Sequence, residues 1–189
     1  MVLTGIGTVR TDNPKLNVRH VSTPRQPRRA VIDPGFEIAE DAALLDGNEV
    51  IIFTATERAD KAARLIARNV QVVLVPEGEP TVARPRPRVD MQAMMHWLAE
   101  HGTNEVHVEA GFGLNGALLA ADCVDELIVY MAPMLLGEGK GIAQVPVLTH
   151  LEDAHKFEFI DVKQFGADMR LRLRVTDHWR ALMKSIHLP

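Results

Sequence analysis

The chain has 189 residues, 21 Lys and Arg against 25 Asp and Glu (formal charge -4), and 47% hydrophobic residues. That length supports one substantial core, and the composition is that of a folded protein rather than a disordered one. The slight acidity gives no electrostatic reason to bind nucleic acid or an anionic membrane, and the single cysteine, Cys123, excludes an internal disulfide and a cysteine-based zinc site.

Residues 1–4 (MVLT) already read as a strand, so the chain is expected to begin inside a structural unit, with further elements upstream. The following stretch, GIGTVRTDNPKLNVR (5–19), offers a short helical turn from Gly7 and Thr8, then a turn where Asp12 and Asn13 precede Pro14. Strand signals recur at 28–33 (RRAVID), 49–54 (EVIIFT), 70–75 (VQVVLV), 104–109 (NEVHVE) and 126–132 (ELIVYMA). Helical stretches lie between them at 58–68, 91–101 and 115–121. Thr56 and Asp90 are candidate N-caps for the first two, and Gly102 is a candidate C′ residue for the second. The segment 76–88 (PEGEPTVARPRPR) reads as a Pro-rich surface loop. Near the end, 156–163 and 168–175 alternate around a Gly166 turn, which is an antiparallel hairpin. The pattern predicts an α/β fold, with a mixed, mostly parallel sheet flanked by helices and closed by that hairpin. One domain is expected over 1–189, with 177–189 as a helical extension on which Trp179, Leu182, Met183 and Ile186 share a face.

The longest apolar stretch, 127–136, is too short to span a bilayer and contains a proline. No basic-then-apolar leader opens the chain, so a cytoplasmic location is expected. Among the eight histidines, His96 and His101 are five apart on one helix and no HxH or HExxH pair occurs, so no metal site is expected. Gly111, Gly113 and Gly116 have the spacing GxGxxG after a strand and before a helix. The Rossmann reading fails, because the next strand, 126–132, runs into Pro133 with no acid at its far end for the ribose. What survives is a turn whose backbone amides can approach an anion at a helix start; the alternative is a tight turn with no ligand. Glu109 stands directly before that turn, at the C-terminal end of its strand, where ligands of open α/β sheets collect. A capping or salt-bridged acid is the competing reading.

GIGTVRTDNPKLNVR, then QPRRAVID, then VHVEAGFGLNGALLAADCVDELIVYMAPMLLG resembles, in that order, the reductase domain of the riboflavin-biosynthesis deaminase-reductase, of dihydrofolate-reductase-like fold. The likeness runs nearly to Val175. It implies NADPH-dependent reduction of 5-amino-6-(5-phosphoribosylamino)uracil to the ribitylamino product, by a homodimer. It also implies that Thr8 and Asp12, with the turn Gly111, Phe112, Gly113, Leu114, Asn115, Gly116 and Ala117, contact the cofactor, and that Leu16, Arg19 and Glu109 contact the substrate. Arg58 is a further candidate for the adenosine 2′-phosphate, against a solvated helix-start arginine. The chain departs from the family at Met134, where lysine is frequent. The family's deaminase domain and the first strand and helix of its reductase domain have no counterpart before Met1. Two alternatives remain: a reductase of the related diaminopyrimidinone ribosylamine, and an inactive truncated domain that keeps the fold.

Overall fold

The computed structural model describes residues 1–47, 49–82 and 85–176. Residues 1–117 with 142–144 form one compact unit, and 118–141 with those from 145 onward form another. In the first, β1 (Val2–Gly5), β2 (Arg29–Ile32), β3 (Val50–Thr54), β4 (Val70–Leu74) and β5 (His107–Val108) make a sheet in the order β4-β3-β2-β1-β5. Every neighbouring pair is parallel. All positions of β2 and β3 are buried, which is why residues 30–32 and 50–53 read as apolar without alternation.

Four helices accompany the strands: α1 (Ile6–Asp12), α2 (Ala59–Ile66), α3 (Met91–Glu100) and α4 (Phe112–Ala120). Phe36, Leu44, Ile52 and Leu65 are fully buried in one cluster with Val9, Val31 and Ile38. Burial of each such large side chain contributes about 1.5–3 kcal/mol relative to exposure. The α3 caps are as expected: Asp90 Oδ1 accepts from the Ala93 N–H at 2.9 Å, and Gly102 has φ +76. Asp90→Ala is expected to cost about 1 kcal/mol and to lower Tm by about 2–4 °C in thermal circular dichroism. Thr56 is not the α2 cap. Arg58 takes the N-cap position without a side-chain bond, while the Thr56 hydroxyl donates to the Pro34 carbonyl at 2.8 Å.

In the second unit, β6 (Glu126–Met131), β7 (Phe157–Phe165) and β8 (Asp168–Val175) form an antiparallel sheet ordered β6-β8-β7. The expected hairpin is β7–β8, turning at Gly166 with φ +61. The expected single mixed sheet is instead two sheets, because β6 pairs with β8 rather than with the parallel strands. Cross-strand chemistry explains the pairing. Leu127, Val129 and Met131 stand opposite Leu173, Leu171 and Met169, while Glu126, on the other face, pairs with Arg172 at 2.7 Å. The apolar run of β6 suits either sheet, so the sequence pattern alone does not distinguish them. A bulge between Phe159 and Asp161 in β7 lets Asp161 stand opposite Arg172 and pair with Arg170. The expected helix over 177–189 lies outside the described residues.

Candidate active site

β1 and β5 are adjacent and parallel, so the loops that leave their C-terminal ends start side by side. Thr4 is fully buried, and its hydroxyl donates to the Glu109 carbonyl at 2.6 Å. The Glu109 N–H donates to the Leu3 carbonyl at 2.9 Å. One residue further on, a Cβ on Gly5 would meet Leu114 Cδ2 at 3.3 Å, so the entry to α1 packs against the first turn of α4. The two glycine-bearing segments therefore share one sheet edge. Thr4, which joins them, carries no sequence signal because it reads as an ordinary strand residue.

On α1, Thr8 and Asp12 are four apart and share a helix face. Neither side chain has a hydrogen-bond or ion-pair partner among the described residues, and the same holds for Arg19, exposed in the following loop. The helix ends at Asn13 in the left-handed region (φ +41), whose Oδ1 accepts from the Ala43 N–H at 2.9 Å. Leu16 also has a positive φ, +47, and packs on the core cluster. This loop is held from beneath by Arg29, 4% exposed, which donates to the carbonyls of Lys15 at 3.1 Å and Asp46 at 2.8 Å. Burial pushes the Arg29 guanidinium below its ordinary pKa, and the nearby Asp46 carboxylate opposes that.

α4 begins at Phe112, three residues before the expected start. Glycine's poor helix propensity argued for a later start, but the contacts with 142–144 favour the helix here. Asn115 N–H donates to the Gly111 carbonyl at 3.2 Å, closing the first turn. The amides of Phe112, Gly113 and Leu114 then have no intrahelical acceptor, which is the arrangement that binds anions. The three glycines divide by role. Gly116 is buried, and a Cβ there would stand 2.0 Å from the Gln144 carbonyl oxygen. Asn115 Nδ2 donates to the Ile142 carbonyl at 2.8 Å, and Gln144 N–H donates to the Phe112 carbonyl at 2.9 Å, so residues 142–144 are strapped to this helix. Gly111 and Gly113, by contrast, are exposed, have no positive φ, and would place a Cβ in open space. Ala117 is exposed as well.

The Glu109 side chain is 56% exposed, with His107 Nε2 at 3.7 Å from its carboxylate. Proton donation by Glu109 would call for burial, and its carboxylate is mostly open. No hydrogen bond or ion pair joins Glu109 to Arg19 among the described residues. A depression of about 630 Å³ lined by Thr23, Arg25, Gln26, Arg28, Glu49 and Asn69 lies by the N-terminal ends of β2–β4, opposite this edge, and is not assigned to the site. Among the described residues no group of three His, Cys, Asp or Glu is placed to hold a metal, and no helix is long and apolar enough to cross a membrane.

A parallel sheet with glycine-bearing loops at its C-terminal edge and a separate antiparallel hairpin sheet is the architecture of a known reductase class. The chain belongs to the RibD C-terminal domain family, whose model matches residues 1–171. It is similar to the riboflavin biosynthesis protein RibD of Escherichia coli K12, 33% identical over 185 residues, covering 91% of this chain and 48% of that protein. It is also similar to the 5-amino-6-(5-phosphoribosylamino)uracil reductase of Buchnera aphidicola, 26% identical over 183 residues, covering 92% of this chain and 85% of that protein. Among solved structures, one form of Acinetobacter baumannii RibD superposes with a TM-score of 0.76 at 28% identity, covering 93% of this chain and 46% of that one. The chain thus spans about half the length of the RibD proteins it matches.

Proposed function

We propose that this chain binds NADPH at the C-terminal edge of its parallel sheet and reduces 5-amino-6-(5-phosphoribosylamino)uracil to the ribitylamino product. The observation that carries the reading is the pair Gly111 and Gly113. Neither backbone conformation nor crowding within the chain requires glycine there, whereas close approach of a phosphate to free helix amides does. Among the described residues the side chains of Thr8, Asp12 and Arg19 have no hydrogen-bond or ion-pair partner, with Thr8 and Asp12 on the helix that opens at the same edge. Family membership and the name of the Buchnera relative support the pyrimidine substrate.

The bound cofactor supplies hydride. The chain supplies placement: the amides of residues 112–114 with Thr8 and Asp12 hold the dinucleotide, and Leu16 and Arg19 hold the sugar phosphate. Arg19 offers the phosphate a bidentate guanidinium, which lysine does not reproduce. The ribosylamine opens to an imine, and protonation of its nitrogen makes C1′ more electrophilic. Glu109 is given the charge-stabilising role, because an exposed carboxylate can face a developing iminium cation without the burial that proton donation demands. A homodimer in the cytoplasm is the proposed form. Glu109→Gln and Arg19→Lys are each expected to lower kcat/KM for the uracil substrate by about tenfold, about 1.4 kcal/mol. Steady-state assay of the purified chain checks this; unchanged kinetics in both variants refutes the assignment. Parallel assay with the diaminopyrimidinone substrate separates the two pyrimidine reductase activities.

A further inference from the structure

Between Asp33 and Ile38 the chain turns sharply beyond the C-terminal end of β2, the neighbour of β1 in the sheet. Asp33 is fully buried. Its Oδ2 accepts from the Ile38 N–H at 2.7 Å, its carbonyl accepts from the Phe36 N–H at 2.9 Å, and its Oδ1 has no hydrogen-bond partner among the described residues. Phe36 sits in the left-handed region (φ +52), a strained conformation for an aromatic residue, with its ring fully buried. Lys61 of α2 closes the turn from the other side. Its ammonium donates to the carbonyls of Phe36 at 2.8 Å and Ile38 at 2.6 Å, and lies 4.8 Å from the Phe36 ring centroid. Burial lowers the Lys61 pKa, and the Asp33 carboxylate opposes that shift.

So constrained, the turn presents Glu37 at its tip, where it pairs with Arg10 of α1 at 2.7 Å. Val9, the preceding residue of α1, packs in the same core cluster as Phe36 and Ile38. The turn therefore meets α1 directly through the Arg10–Glu37 pair and shares one core cluster with it through Val9. Successive helix residues are about 100° apart, so Arg10 stands about 200° around the axis from both Thr8 and Asp12. Fixing Val9 and Arg10 fixes the rotation of the helix, and with it the direction of the Thr8–Asp12 face.

We propose that the 33–38 turn, locked by Asp33 and Lys61, is a positioning device for the cofactor helix, with Arg10 and Glu37 as positioning residues that aim Thr8 and Asp12. The inference rests on the NADPH reading above. A purely stabilising role predicts almost nothing for the Arg10–Glu37 pair, because its partners are 60% and 44% exposed and such surface pairs add little to stability.

The test compares the full chain with Arg10→Met, with Glu37→Gln, and with the exchange Arg10→Glu, Glu37→Arg. NADPH affinity by fluorescence titration, the split between KM and kcat, Tm, and amide hydrogen exchange over residues 6–12 are the readouts. Each single variant is expected to weaken NADPH binding about fivefold or more at unchanged Tm, with the effect on KM for NADPH and faster exchange in α1. The exchanged pair is expected to recover most of the loss. Single variants that bind NADPH within twofold of the parent, or an exchange no better than the singles, overturn the proposal. If the parent itself does not bind NADPH, the functional reading fails, and hydrogen exchange still decides the positioning: unchanged exchange over 6–12 in the variants overturns it.

Discussion

Gly116→Ala is expected to destabilise the protein by about 2 kcal/mol, the balance of a clash of about 3 kcal/mol, in the upper part of the usual range for forcing atoms into a packed site, and a smaller gain in helix propensity. The Cβ would lie 2.0 Å from the Gln144 carbonyl oxygen and 2.6 Å from its carbonyl carbon. Both are backbone atoms, so no rotamer change relieves the clash. Either the 142–144 segment leaves the helix, losing the Asn115–Ile142 and Gln144–Phe112 hydrogen bonds, or the first turn of α4 shifts. Alanine's better helix propensity returns only about 1 kcal/mol. For a chain of this length the net loss corresponds to a Tm lower by about 4–8 °C, read by calorimetry. A Tm within about 2 °C of the parent would show that the strap is not packed as described.

Gly113→Ala, three residues earlier in the same helix, should do the opposite to stability and harm binding. Its Cβ meets nothing within 4 Å, so the propensity gain is unopposed and Tm should hold or rise. The methyl group would stand where the proposed phosphate approaches the helix amides. Overpacking of about 2 kcal/mol there corresponds to roughly thirtyfold weaker NADPH binding, with binding to unrelated anions at high salt little changed. A variant that gains stability and loses the cofactor assigns Gly113 to the ligand. One that gains stability and keeps full affinity removes the principal support for the phosphate cradle.

These two glycines also show what the sequence could and could not convey. The GxGxxG spacing marks the segment proposed to hold the cofactor, yet it reads all three glycines alike, and only the return of residues 142–144 separates the packed Gly116 from the open Gly111 and Gly113. The parallel strands were legible because burial on both faces leaves short continuous apolar runs at 30–32 and 50–53. The start of α4 was misplaced because local propensity opposed contacts made almost thirty residues downstream. The separation into two sheets was not legible for a similar reason, since the partner of β6, β8, begins 37 residues further on. Thr4, Asp33 and Lys61 gave no signal at all. Their roles depend on partners across the fold, and a threonine, an aspartate and a lysine at strand and helix ends are ordinary by position.

The bulge in β7 bears on how this sheet tolerates changes in length. Phe159 stands opposite Leu173 and Asp161 opposite Arg172, so Ile160 is a residue that the ladder does not count. Losing it would straighten the strand while every flanking pair keeps its partner, whereas losing Phe159 or Asp161 would put Ile160 opposite Leu173 or Arg172 in its place. Natural homologues one residue shorter should therefore have their gap here, and a designer seeking a flatter hairpin has a single position at which to cut.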